Sequence, residues 1–262
     1  MTQADLPSRE TVESLCEERG FKSNGFAFND RIWVKYGTGA TLAEAALQRY
    51  LCTKVDHNIV RIPEVFDAWK SEEKDYFSKV YILMENIQGE DYMTYSNNHT
   101  ENVDSVFEAV VAAVRHIWEI PLPEKAKIGP LERQIPHDRF FGDYGAHRTF
   151  ENLEELETWI NNQLKEAEYK ERVALQGEPL VICHGDIHPW NILVNGEGRV
   201  TFIDWGYSGI YTREFEELAL IHQWNRDGAK LAKALHKALF GPKPTKQMRA
   251  FTLVANYNQW GR

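Results

Sequence analysis

The sequence predicts an α+β fold in two lobes, a small β-rich amino-terminal lobe over residues 1–86 and a larger, mainly helical lobe over 87–262. Three observations carry that prediction. Short apolar runs of strand length fall in the first third. Helical apolar spacing dominates from Val103 onward. Between them, Gln88-Gly89 breaks the chain, which puts the joint at residues 85–89. A chain of 262 residues can bury a substantial core.

In chain order, Arg31-Ile-Trp-Val-Lys35 reads as a strand ended by Gly37 and Gly39. Thr41 to Leu51 reads as a helix, with Leu42, Ala45, Ala46 and Tyr50 on one side. Val80-Tyr-Ile-Leu-Met84 is a continuous apolar run, the pattern of a strand covered on both faces. Val103, Val106, Phe107, Val110, Val114, Ile117 and Trp118 share one helical face, and Pro121 ends that helix. Leu153, Leu156, Trp159, Ile160 and Leu164 repeat the pattern. Leu180-Val-Ile-Cys183 is a short apolar run before a dense polar cluster. Asn191–Asn195 and Val200–Ile203 are two short strands joined by Asn195-Gly-Glu-Gly198, a good hairpin loop. From Glu214 the tail is mostly helical by period.

Apolar residues make up 43% and charged residues 26%, which excludes collagen-like, low-complexity and disordered classes. The net charge of −9 gives no field that would attract polyphosphate, so nucleic acid is not an expected partner. Cys16, Cys52 and Cys183 form neither a disulfide framework nor a Cys-x-x-Cys zinc pattern. The polar amino terminus lacks the apolar core of a signal peptide, and the longest apolar run, Ala109 to Val114, is far too short to span a bilayer. The expected protein is soluble and cytoplasmic, without a membrane.

The chemistry concentrates in His184-Gly-Asp186-Ile-His188-Pro-Trp-Asn191, followed 13 residues after Asn191 by Asp204-Trp-Gly206. This combination arises by chance in about 1 in 10³ chains of this length. Two carboxylates and an amide offer hard oxygen donors of the kind Mg²⁺ shares with nucleotide phosphates. A separate aspartate can accept the proton of an attacking hydroxyl. Phosphoryl transfer needs that division: one base, two metal ligands and a cation opposite. Two other readings are weaker. Cys183 and His184 as a nucleophilic pair would be neighbours on a strand, pointing to opposite faces. The spacing of His184 and His188 matches that of a zinc helix, but Gly185 stands where that motif needs Glu, and Gly185 and Pro189 suit no helix.

His184–Asn191 resembles the catalytic loop of the aminoglycoside phosphotransferase family, part of the protein-kinase-like superfamily, and Phe202-Ile-Asp-Trp-Gly206 resembles its metal-binding strand end. Ile32–Gly37 is similar to the strand carrying the nucleotide lysine, and Leu42–Leu51 to the helix whose glutamate pairs with it. Ile82–Gly89 is similar to the segment that joins the lobes beside adenine. The resemblance covers about residues 20–225 and is greatest to the phosphotransferase-like proteins of fungi. It implies a protein-kinase-like fold and a small-molecule kinase using ATP and Mg²⁺. It further implies Asp186 as catalytic base, Asn191 and Asp204 as Mg²⁺ ligands, and Lys35 on the phosphates with Glu44 holding it. The backbones of Glu85 and Ile87 would bind adenine. His184 would brace the loop, and His188 would reach substrate or phosphate, or satisfy a loop carbonyl.

The chain departs from kinase patterns in two places. The phosphate-covering loop, expected near Gly20–Asn29, has two glycines and no Gly-x-Gly-x-x-Gly. No activation segment or Ala-Pro-Glu element follows Gly206, so no platform for a protein substrate is expected. The implied acceptor is a small hydroxylated molecule. Glu214, Glu216 and Glu217 could receive a cationic amine on it, or form the solvated first turn of a helix. The alternative is a nucleotide-binding pseudokinase without turnover.

Overall fold

The computed structural model describes residues 6–20, 24–37, 39–71, 79–142, 145–223 and 226–260. Its fold is α+β, with a small antiparallel-sheet lobe and a helical lobe. Four antiparallel strands form the first sheet: β1 (Gly25–Ala27), β2 (Ile32–Gly37), β3 (Val65–Lys70) and β4 (Val80–Glu85), in the order β1-β2-β4-β3. Two helices belong to this lobe, α1 (Arg9–Arg19) and α2 (Leu42–Cys52). β4 is buried on both faces, as its unbroken apolar run predicts. Tyr81 and Leu83 pack with Val12 and Cys16 of α1, whereas Val80, Ile82 and Met84 pack with Ala45 of α2. The period-two alternation of the strand thus serves two small cores.

α2 begins where expected, and the Thr41 hydroxyl caps it by accepting the Glu44 N–H at 3.0 Å. Its buried face differs from the sequence reading. Ala45 is buried as expected, but Leu42 is exposed, Ala46 and Tyr50 are half-buried, and the buried residues also include Ala43, Glu44, Leu47, Gln48 and Leu51. Two polar residues lie on that face because each has an inward partner. Glu44 meets Lys35, and Gln48 donates to the Pro63 carbonyl at 2.9 Å. Apolar periodicity registers neither.

β5 (Glu90–Asp91) carries the chain out of the small lobe and pairs with β7 (Ile192–Val194), which pairs in turn with β8 (Val200–Phe202). A second link crosses between the lobes: Arg61 N–H donates to the Val200 carbonyl, and Phe202 N–H to that of Arg61. The site is therefore spanned by two chain crossings. β6 (Leu180–Cys183) pairs with β9 (Gly209–Thr212) beneath it.

Helices make the rest: α3 (Tyr92–Asn98), α4 (Val103–Glu119), α5 (Leu153–Glu166), α6 (Arg213–Ile221), α7 (Arg226–Phe240) and α8 (Met248–Trp260). Their apolar stripes meet in one large core, with an aromatic centre of Phe140, Phe141, Tyr211, Phe215 and Phe251. Among the described residues, no helix is long and apolar enough to cross a membrane.

Candidate functional site

A cavity of about 400 Å³ lies between the four-stranded sheet and the β7–β8 hairpin, within the size range of small-molecule sites. Lys35, Glu85, Ile87, Asn191 and Asp204 all line it. Lys35, Asn191 and Asp204 are brought to one place by three elements of local structure.

The first is β2 with α2. Lys35 Nζ donates to Glu44 Oε1 at 2.5 Å and to Asp204 Oδ1 at 2.7 Å. Burial opposes charge on Lys35, but the two carboxylates outweigh it and raise its pKa. Burial raises the pKa of Glu44, and Asp204 sits below the usual carboxylate range because Lys35 overcomes its burial. Glu44 Oε2 is buried without a partner. Gly206 leaves room for this cluster: a Cβ there would meet Asp204 Oδ1 at 3.4 Å and Lys35 Nζ at 3.6 Å.

The second is the strand end after β8. Asp204 has φ +61, in the left-handed region that aspartate tolerates better than most residues. The chain turns there, and the half-exposed carboxylate faces Lys35.

The third is the loop after β6. Asn191 Nδ2 donates to the Asp186 carbonyl at 3.0 Å and to its Oδ2 at 3.2 Å. With the nitrogen so engaged, the amide oxygen is the atom Asn191 has for a cation. Among the described residues no three His, Cys, Asp or Glu side chains form a metal cage. An amide and a carboxylate oxygen on one cavity fit Mg²⁺ that takes its remaining ligands from phosphate and water.

The loop is braced from below. His184 is buried, with Nε2 3.0 Å from the Ile203 carbonyl and Nδ1 accepting the Asp186 N–H at 3.2 Å. Glu216 accepts the N–H groups of His184 and Gly185 at 2.6 and 3.1 Å. Glu217 is engaged by Thr245 and His236. Both glutamates are therefore buried anchors, not a solvated first turn, and Glu217 lines with Glu214 a separate cleft beside Glu178 and Arg213. Cys183 is a buried thiol with a raised pKa, inert as a nucleophile.

Gly185 has φ +78, and a Cβ on it would stand 2.5 Å from the Tyr207 carbonyl oxygen. Gly185→Ala is expected to cost more than about 3 kcal/mol, read as a lowered urea midpoint. Burial also drives two titrations in opposite senses. His184 is pushed down to about 4 from 6.5, so it stabilises the fold above pH 6.5 and loses that contribution as pH falls to 4. Glu216 is pushed up to about 7 from 4.5, so its contribution is complete below pH 4.5 and lost as pH rises through 7. The two oppose each other between pH 4.5 and 6.5. Removing one unmasks the other: relative to wild type, His184→Gln should lose on the order of 2 kcal/mol between pH 4.5 and 7, measured by urea unfolding of nucleotide-free protein.

Asp186 is not the isolated carboxylate its sequence position suggests. Arg139 pairs with its Oδ1 and donates to the His222 carbonyl at 3.0 Å, and His188 Nε2 lies 3.4 Å from Oδ2. Burial raises the Asp186 pKa, but His188 and Arg139 more than reverse it. His188 also caps the following turn, its Nδ1 accepting the Trp190 N–H at 3.2 Å. Arg139 stands 47 residues upstream in an irregular segment, so no local pattern links it to the loop.

Glu85 and Ile87 line the cavity at the inter-lobe crossing; the Glu85 side chain pairs with Arg61, and its N–H donates to the Glu64 carbonyl at 2.8 Å. The expected phosphate-covering segment is only partly within view. Residues 21–23 lie outside the described residues. The second half of the segment forms β1 and a turn whose Asn29 carbonyl accepts from Asn86 Nδ2. Asn24 and Gly25 do line the cavity, as does Trp33, which sequence reading took only as a strand residue.

The chain matches the family described as APH, phosphotransferase enzyme family, over residues 36–251. No curated protein matches it. Among solved structures, aminoglycoside phosphotransferase APH(4)-Ia is similar at TM-score 0.57 and 15% identity, over 96% of this chain and 90% of that one. A thermostable mutant of it, in ternary complex with ADP and hygromycin B, gives 0.56 and 16%, over 90% and 80%. The streptomycin–ATP–APH(2")-IIa ternary complex gives 0.53 and 15%, over 96% and 88%. At these identities the likeness is one of fold.

Proposed function

The chain belongs to the phosphotransferase enzyme family, and on that premise we propose that it transfers the γ-phosphoryl group of ATP to a hydroxyl of a small molecule, with Mg²⁺. The observation that carries the proposal is the meeting of Lys35, Asn191 and Asp204 on one cavity, with Asp186 hydrogen-bonded to Asn191 at its edge. Similar structures in complex with ADP and with ATP support the nucleotide. The proposal includes kinship with the phosphotransferase-like proteins of fungi and a cytoplasmic location, where ATP and Mg²⁺ are at hand.

Each residue has a task set by its chemistry. Met84, Leu193 and Ile203 give the cavity apolar walls for a base, and the backbones of Glu85 and Ile87 hydrogen-bond adenine. Lys35 holds the α- and β-phosphates, kept extended by Glu44. Asn191 and Asp204 hold Mg²⁺, which when bound neutralises charge on the phosphates. Asp186 orients the acceptor hydroxyl and accepts its proton. The new bond forms from that oxygen to the γ-phosphorus, the bond from the γ-phosphorus to the β–γ bridging oxygen breaks, and ADP leaves with the electron pair. The work is positioning and charge neutralisation.

A nucleotide-binding protein without turnover is the second reading, and the Arg139 ion pair on Asp186 favours it. Calorimetric titration tests the nucleotide site. ATP should bind in the micromolar range only with Mg²⁺, and Asp204→Asn should weaken it at least about tenfold. Binding indifferent to both Mg²⁺ and Asp204→Asn would contradict the assignment.

A further inference from the structure

The nucleotide cavity and the Arg139 side of Asp186 carry different charge. Lys35, Asn191 and Asp204 line the cavity, while Arg139 approaches Asp186 from the segment before Phe140 and Phe141. Arg139 is largely buried, tied to the Asp186 carboxylate and the His222 carbonyl. Around it lie His188, on the other carboxylate oxygen, and Tyr207, tilted against His137.

Among the described residues, three carboxylates packed around this side are already engaged. Asp138 is buried and caps the N–H groups of Phe140 and Phe141 at 2.7 and 3.2 Å. Glu216 is taken by the loop, and Glu217 by Thr245 and His236. The full charge paired with Asp186 on this side is a guanidinium. It has five N–H donors in a planar fork, and its two recorded bonds leave others for a second oxygen pair. While it neutralises Asp186, it also makes that carboxylate a poorer base. An anionic group on the acceptor would draw the guanidinium toward itself and release Asp186 for the hydroxyl proton.

We propose that Arg139 is an acceptor-binding residue, and that it selects small hydroxylated acids in which a carboxylate or phosphate group accompanies the hydroxyl to be phosphorylated. This deepens, and rests on, the phosphotransferase reading. The step is the one given above, with ATP as donor and Asp186 taking the proton.

The test uses the full chain loaded with Mg²⁺ and a non-hydrolysable ATP analogue. The probes are glycerate, gluconate and glucose 6-phosphate, set against glycerol, glucose and glucosamine, with hygromycin B as a larger cationic probe. Binding is read by calorimetry and transfer by ADP release with ATP. At least one acidic probe should bind at least tenfold tighter than its neutral and amino counterparts, gluconate and glucose 6-phosphate separating carboxylate from phosphate. Arg139→Gln, which keeps a donor for His222 without the charge, should lose that preference, and Arg139→Lys should recover part of it.

Three results overturn the proposal: no preference for acids, better binding of glucosamine or hygromycin B, or a preference that survives Arg139→Gln. The parent reading fails separately. An acid preference lost in Arg139→Gln but never accompanied by transfer would leave the anion site standing and remove the phosphotransferase. Transfer to a neutral or amino probe, unchanged in Arg139→Gln, would do the reverse.

Discussion

Asp186→Asn is expected to lower kcat by at least about 10³-fold while leaving ATP affinity within about threefold. The carboxylate and the amide have nearly the same shape, so Asn191 and the Phe202–Gly206 strand end stay in place. What is lost is the ability to accept a proton from the acceptor hydroxyl, and general-base catalysis alone is worth about 10²–10⁴-fold. The ion pair with Arg139 is lost with the charge. Because Asp186 stands outside the lining of the nucleotide cavity, ground-state nucleotide binding has no reason to change. Single-turnover rates beside calorimetric affinities separate the two effects. A variant that kept its rate would remove Asp186 from the chemistry.

Lys35→Met should act the other way, on both nucleotide affinity and rate. Lys35 is the cation between Glu44 and Asp204, and each of its two bonds is to a carboxylate. Without it Glu44 is a buried acid with no counter-charge, and the fold is expected to keep it protonated. Asp204 loses the partner that orients it in its left-handed conformation. Removal of one preorganised charge at a phosphate typically costs about 10²–10³ in rate, and ATP affinity should fall at least about tenfold. Asp204→Asn, by comparison, should lose chiefly the Mg²⁺-dependent part of binding.

Much of this was legible before the structure, and the limits have physical causes. β2, β4, α4 and α5 follow from local apolar periodicity, and the β7–β8 hairpin from its Asn-Gly turn. β3 is harder: Val65–Lys70 carries a register shift between Val65 and Asp67, which breaks the alternation a strand would show. α1 buries only Val12 and Cys16, too little for a periodic signal. β9 exists because β6 pairs with it, and that partner is distant in sequence: Cys183 stands opposite Gly209, and Leu180 opposite Thr212.

The site divides in the same way. Motif order points to Lys35, Glu44, Asp186, Asn191 and Asp204, and the structure brings Lys35, Glu44 and Asp204 into contact and Asp186 against Asn191. Arg139 and Glu216 were not legible in their actual places. Arg139 has no motif around it, and Glu216 looks from sequence like any acidic residue early in a helix. Its burial beneath the His184–Asn191 loop depends on α6 packing against β6, which no local pattern encodes.

The most direct test of the account is phosphorus NMR of the protein incubated with ATP, Mg²⁺ and the hydroxylated probes. The account predicts ADP and a new phosphomonoester resonance appearing one for one, absent with Asp186→Asn. Bound nucleotide that yields no ADP, or ADP that appears only with inorganic phosphate and equally in Asp186→Asn, would contradict it.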